Sequence, residues 1–549
     1  MTQAKRLLND SAALRWLVMF LISALTFATY YFQDFYSGLK GLIETDFGFT
    51  SEEFGRMIGL TTIANVFGMI IIGGIILDKW GIRLAGIAFG SLAVLGGLVS
   101  ALTAAGYFGT DKNTMLTGLI IGRVMFGSGL EVVCVVAMRT IVKWFKGHEL
   151  ALAMGINMGF GRLGSALAIA ISLDIAGQSV SPAVTFAASL IGLALIMFLV
   201  YTFFDVKLDK QMKAARAANN EEEAVEEDFK FSDLVKLVTN KSFIYITLLC
   251  VAFYSAVFPF IQYAPDLLVN KFGFMYDLPD GAAVVVFGSE AFGNALVYIT
   301  VFLFAIGVTV VPNNMKSSSQ KLIIRVVLVS VFAVLVFMNR EMLALWLNNG
   351  PKTSALIPLG TIIFTPIFGT IVDNKGKAAS LMMIGAFLLI FAHLSLSLTS
   401  SPLFAYMGLI SLGIAFSLVP AAMWPSVAKI VPENRLGTAY SSMFTVQNWG
   451  LGLFFWGIGA LLTFVNPDVV DSLKVARKGF EAEGFSAAEI ADKVKDLQIA
   501  GSLPYYDYTI PILILVLCGV ISIFLAFKLK QADKKQGYGL ELPSGQKPE

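Results

Sequence analysis

Apolar runs of about 20 residues recur along the whole of this 549-residue chain, and a helix of that length crosses a ~30 Å hydrocarbon core. Inside lipid every backbone N–H and C=O must find its partner within the segment, so such runs fold as helices. The low share of charge agrees. Asp, Glu, Lys and Arg make up 14% of the chain, against about 25% in soluble proteins. A net charge of +2 offers no nucleic-acid surface. Cys134, Cys250 and Cys518 lie inside apolar runs and give neither a disulfide framework nor metal-ligand spacing. The first apolar segment is long and ends without a small-residue cleavage site, so it reads as a spanning helix rather than a signal peptide.

Spanning segments fall near 14–38, 53–77, 83–106, 115–141, 150–173 and 182–204. A charged stretch from Asp205 to about Lys241, with Glu221, Glu222 and Glu223, reads as a solvated linker. Further segments fall near 242–269, 289–311, 322–338, 353–372, 378–399, 402–424, 437–464 and 508–529, fourteen in all. The short loops with Lys5 and Arg6, Lys79 and Arg83, Lys143 and Lys146, Lys316 and Lys321, Lys429 and Arg435, and Lys534 and Lys535 share one side. Positive charge marks that side as cytoplasmic, with both termini on it. The loop from Asn466 to about Tyr506 lies opposite, and Ser486 to Glu489 reads as a capping box opening a polar helix. A solvated helical hairpin is the plain expectation for it; a lid over the substrate path is the alternative.

Two short segments repeat across the halves. Gly74, Asp78, Gly81 and Arg83 share their spacing with Gly369, Asp373, Gly376 and Lys377. Glycine permits tight turns and close helix approach, and an aspartate can cap a neighbouring helix N-terminus. This pattern resembles the loop signature of the major facilitator superfamily. Arg123, Gly127 and Gly129 in the fourth segment resemble a second signature of that superfamily. The resemblance implies an all-α membrane fold of two six-helix bundles, one ending near 204 and one spanning about 242–530. It also implies that Asp78, Arg83, Arg123 and Asp373 serve gating or structure. Against twelve core helices, the segments at 289–311 and 322–338 are an insertion. They are expected at the lipid-facing periphery, with Glu290 interfacial.

Charges at membrane depth cost about 2.5–3.5 kcal/mol on insertion scales, which makes those present functional candidates. Glu131 and Arg162 are equidistant from the turn at Lys146 and Gly147. At ~1.5 Å rise per residue they reach one depth, near the bilayer centre. A structural ion pair between the two helices is one reading. The other is a receptor for a zwitterion: the carboxylate takes an ammonium, and the guanidinium holds a carboxylate through two parallel hydrogen bonds. Tyr30, Tyr31, Asp34, Tyr254, Gln262, Trp424, Gln447 and Asn448 are supporting candidates in other helices. Pro259, beside Phe258 and Phe260, can open backbone carbonyls in a cavity wall. His393 is read as packing or as a hydrated polar contact.

The stretches 122–131, 143–150, 161–165, 256–260, 424–428 and 431–440, with Gln447 and Asn448, narrow the likeness. They resemble the lysosomal dipeptide uniporters known as major facilitator superfamily domain-containing protein one, and their bacterial relatives. The likeness spans roughly 14–270 and 353–464. It implies facilitated transport of dipeptides, with Glu131 and Arg162 on the peptide termini and Asp34 near the amino group. Leu7 and Leu8 lack the upstream acid of a lysosomal sorting signal, and no glycosylation sequon falls in an outer loop. A bacterial inner membrane is therefore expected, with a small-molecule substrate, the bilayer around it and no obligatory accessory subunit. A proton-coupled symporter using Glu131 or Asp34, a multidrug antiporter and a non-transporting receptor are the competing readings. No nucleophile–base constellation or phosphate loop points to an enzyme or a cofactor, and His148 and His393 are isolated.

Overall fold

The computed structural model describes residues 7–145, 148–219, 237–313, 315–432, 435–485, 487–543 and 546. Lys5, Arg6, Lys146, Gly147, Glu221, Glu222, Glu223, the Ser486 of the expected capping box and the side chain of Asp78 lie outside them.

Helices cross where the apolar runs lie. In the first half they are α1 (Ala12–Asp46), α2 (Ser51–Val66), α3 (Met69–Leu77), α4 (Lys79–Ala104), α5 (Lys112–Phe145), α6 (Leu152–Ala176) and α7 (Val180–Ala214). The second half holds α8 (Lys241–Phe272), α9 (Glu290–Pro312), α10 (Ser318–Met338), α11 (Gly350–Lys375), α12 (Ala378–Leu398), α13 (Pro402–Ile430) and α14 (Leu436–Val465). Two polar helices, α15 (Pro467–Ala482) and α16 (Ala487–Ile499), precede the last span, α17 (Thr509–Gln536). With α2 and α3 counted as one bent span the crossings number fourteen. Both chain ends then share one face, here the terminal face; α15 and α16 sit on the other, the loop face.

Local chemistry sets the helix ends. Thr50 and Glu53 form a reciprocal capping box at the start of α2. Gly273 in the left-handed region stops α8. At the α2–α3 break Gly68 has φ 84°, a conformation glycine adopts without the Cβ penalty, and the two halves bend by 52°.

The repeat is visible in the packing. The first span, α1, packs on α6 and α7, and its counterpart α8 packs on α14 and α17. The bundles meet along α2 against α14, and α6 against α11. Two expectations change. The helix of α7 runs on to Asn219, and Asp205 is buried rather than solvated. It accepts hydrogen bonds from Lys143 and Trp144 and pairs with Arg83. The insertion is not wholly peripheral either. Helix α10 has no buried residue and fits the lipid-facing reading. Helix α9 instead lies against α6 and α11, one from each bundle, with Asn294, Tyr298 and Phe302 buried. Glu290 at its start is exposed, as are Phe292, Thr300 and Leu303 further along.

One pair of helices reports the conformation. Near the loop face, a Cβ on Gly59 of α2 would sit 3.0 Å from the Gly452 carbonyl of α14, and one on Gly55 2.7 Å from the Phe455 carbonyl. Near the terminal face, a Cβ on Gly74 of α3 or Gly437 of α14 meets nothing within 4 Å. The break at Gly68 redirects the lower half of this span by 52°. The bundles are shut on the loop face and parted towards the terminal face.

Candidate functional site

Glu131 lies 14 residues before the end of α5 and Arg162 in the middle of α6. Both are half-buried, at a depth where lipid or protein would otherwise cover them. Arg162 can stand there because α6 approaches α1 closely: a Cβ on Gly164 would strike the Phe27 carbonyl, and one on Gly161 would sit 3.2 Å from the Tyr30 ring. Tyr30 lies within electrostatic reach of Arg162, Glu131 and Asp34. Among the described residues no ion pair joins Glu131 to Arg162. The polar neighbour of Glu131 is instead Asn448 of α14. A purely structural salt bridge between the two helices is therefore not what this geometry shows.

The second bundle faces these charges with an aromatic wall. The Arg162 guanidinium carbon lies 4.4 Å from the Phe416 ring centroid, a separation at which the ring quadrupole attracts a cation. Phe416 meets Phe258 edge-on at 5.4 Å, and Phe258 stacks on Tyr254 at 5.3 Å. The Trp424 indole donates to the Tyr254 hydroxyl (3.1 Å) and stacks on Phe444. Trp424 does not end its helix, which continues to Ile430.

The remaining candidates divide by position. Asp34 and Gln262 are buried together as a roof: the Asp34 carboxylate accepts from Ser165 (2.5 Å) and from Gln262 (2.7 Å), tying α1 to α8. Tyr31 turns the other way, 1% exposed and packed on Phe35 and Phe186 within its own bundle. Gln447 is buried and accepts from the Cys250 thiol, facing α8. His393 is fully buried against the Leu389 carbonyl, a packing residue as expected.

Of the gating candidates, Arg123 is wholly buried and donates to Thr61 and to the Phe32 carbonyl. It braces α1 at the level of Asp34. Arg83 pairs with Asp205 (2.9 Å) and Asp209 (2.6 Å) of α7, and Asp373 lies in the field of Lys429. The Arg83 ion pairs and the Lys429–Asp373 approach each lie within one bundle, which fits a parted terminal face.

Sequence reasoning missed the closure of the loop face. Lys40 bonds Asp266 across the bundles (2.8 Å) and Glu44 within its own (2.9 Å). Lys352 pairs with Asp174 at 2.5 Å, again across the bundles. Asp266 carried a signal, an acid beside Pro265 within an apolar run; the others sit at span ends, where charge is ordinary.

The sequence profile of the Major Facilitator Superfamily matches residues 16–347. Proteins named "Lysosomal dipeptide transporter MFSD1" are similar over most of the chain. The Danio rerio protein is 27% identical over 461 residues, covering 82% of this chain and 80% of its own length. The Homo sapiens protein is 26% identical over 462 residues, with 82% and 80% covered. Among solved structures, the partially occluded inward-open xylose transporter XylE from E. coli aligns with a TM-score of 0.56 at 11% identity, covering 94% of this chain and 99% of that one. A bacterial homologue of the human lysosomal transporter Spinster aligns at 0.53 and 13% identity, with 95% and 98% covered. At these identities the structures speak for the fold alone.

Proposed function

This chain belongs to the Major Facilitator Superfamily, a multi-pass membrane transporter family, and from that premise we propose that it carries dipeptides by alternating access, as a uniporter. The observation that carries this reading is the central pair of half-buried charges, Glu131 and Arg162, with no ion pair between them among the described residues and an aromatic wall opposite. A dipeptide is a zwitterion of matching polarity. Its ammonium would bond Glu131, helped by Asn448, and its carboxylate would take two parallel hydrogen bonds from Arg162. Net charge in the site does not change on binding, so no proton or sodium ion is needed to neutralise it. Binding between the bundles would then let one gate close before the other opens.

Similarity to proteins named as dipeptide transporters supports the substrate class. The basic residues Lys143, Lys429, Lys534 and Lys535 support a cytoplasmic terminal face. We propose a bacterial inner membrane, without an accessory subunit, as its setting.

One observation favours a second reading. The Asp34 carboxyl is held by two neutral donors, Ser165 and Gln262, and such an acid could carry a proton in a symporter. Flux into liposomes decides. Uniport expects dipeptide entry down its own gradient, indifferent to an imposed pH gradient; symport expects acid-stimulated accumulation. Absence of dipeptide flux under both conditions rejects the substrate assignment.

A further inference from the structure

The chain carries two segments beyond its two six-helix bundles, the insertion at 273–349 and the long loop before α17. Each delivers one hydrogen-bond donor to a carboxylate that locks the loop face.

The first lock is Asp174 of α6 with Lys352 of α11. Its side chains are only 14% and 3% exposed, and a desolvated ion pair repays its desolvation only when its remaining hydrogen-bonding sites are filled. Asn294 of the inserted helix α9 fills one, donating to Asp174 at 2.7 Å. The amide has one orientation, because its oxygen accepts from the Val284 amide at 2.9 Å. The insertion also cradles the lysine. Tyr298 donates to the Lys352 carbonyl (2.9 Å), and the Lys352 ammonium lies 5.5 Å from the Trp346 ring centroid.

The second lock sets one ammonium, Lys40, against two carboxylates, Glu44 and Asp266. One lysine leaves two carboxylates short of donors, and two hydroxyls make up the deficit. Ser51 donates to Glu44 at 2.6 Å, and Tyr508, at the end of the long loop, donates to the same Asp266 oxygen that Lys40 holds. Asn294 and Tyr508 are both fully buried. In the closed gate each occupies a place water does not reach; once the bundles part there, water can supply the same bond.

We propose that Asn294 and Tyr508 are gate-positioning residues. They are donors recruited from the two added segments, and they weight the alternating equilibrium toward the state closed on the loop face. The proposal does not rest on the identity of the transported solute.

The test reads the gate with a thiol reagent and no substrate. Cys134 lies three residues beyond Glu131 and is partly exposed, whereas Cys250 and Cys518 are buried. The full chain is reconstituted in liposomes whose orientation is scored by access of a membrane-impermeant amine reagent to the exposed Lys534 and Lys535. Reaction of Cys134 with a membrane-impermeant methanethiosulfonate is timed from each face, with Cys134→Ser as the blank. In Tyr508→Phe and in Asn294→Ala the rate from the loop face should rise about tenfold, the order expected for losing one hydrogen bond to a charged group. The rate from the terminal face should fall. General loosening of the fold would instead raise both rates, and that result overturns the assignment. So does an unchanged loop-face rate in Tyr508→Phe, which alters a single oxygen and carries the test if Asn294→Ala does not fold.

Discussion

The guanidinium carbon of Arg162 rests 4.4 Å from the centre of the Phe416 ring, so a cation of one bundle is received by an aromatic wall of the other. The contact orients the guanidinium without occupying its in-plane N–H donors. A carboxylate can then approach along the ring edge, and the position of the charge is fixed before any substrate arrives. Pre-fixing a charged group lowers the ordering cost of binding.

Arg162→Lys keeps the charge and loses both the planar fork and the stacking. Dipeptide affinity, measured calorimetrically, should drop at least tenfold. Phe416→Leu keeps an apolar wall and loses the cation–π attraction, worth roughly 0.5–2 kcal/mol. A loss of about three- to tenfold is expected. Equal affinity in Phe416→Leu and the parent would mean the ring only fills space.

Packing makes a separate demand on α6. A side chain at Gly164 would collide with the Phe27 carbonyl of α1, a backbone atom that cannot rotate aside. Gly164→Val should therefore lower the thermal midpoint in detergent, by an overpacking cost on the order of 1–3 kcal/mol. Gly437→Ala, where a Cβ meets nothing within 4 Å, should leave the midpoint unchanged.

The C-terminal tail gives a pH dependence with a definite sign. Burial alone would raise the Glu541 carboxyl. The side-chain and backbone donors of Ser380, with Lys530, outweigh it and hold the group below its ordinary value. The contacts are short: 3.0 Å from the Ser380 amide and 2.6 Å from its hydroxyl. A carboxyl lowered in the docked state contributes stability that is complete above its free value of roughly 4.3 and is lost as pH falls through the docked value. Limited proteolysis should find the tail protected at neutral pH and released below roughly pH 4. In Glu541→Gln protection should be weaker at neutral pH and nearly flat across the same range.

Much of this was legible in the sequence, for identifiable reasons. Apolar length set the fourteen crossings, because lipid leaves the backbone no other solution. Glu131 and Arg162 stood out because charge is rare at that depth and their distances from one turn fixed their level. What stayed hidden was long-range pairing. Lys40, Asp174 and Lys352 occur at span ends, where a charge ordinarily meets water. Only the fold reveals that each faces the opposite bundle. Tyr30 and Tyr31 are adjacent and chemically alike, yet helix rotation sends one to the charged pair and the other into the Phe186 packing. Helix α9 looked like a lipid-facing addition because its apolar run does not record which residues will touch α6 and α11. Asn294, an amide within the apolar run, was the clue.

The most direct measurement pairs substitution with end-blocking in one cycle. Affinities of a free dipeptide, its N-acetylated form and its C-amidated form are measured on the parent protein, Glu131→Ala and Arg162→Ala. If each charge holds one end, acetylation costs the parent at least tenfold and costs Glu131→Ala almost nothing further, while amidation behaves likewise with Arg162→Ala; such non-additivity marks direct contact. Blocked and free dipeptides binding the parent equally well, or losses that simply add across all combinations, would contradict the two-ended site.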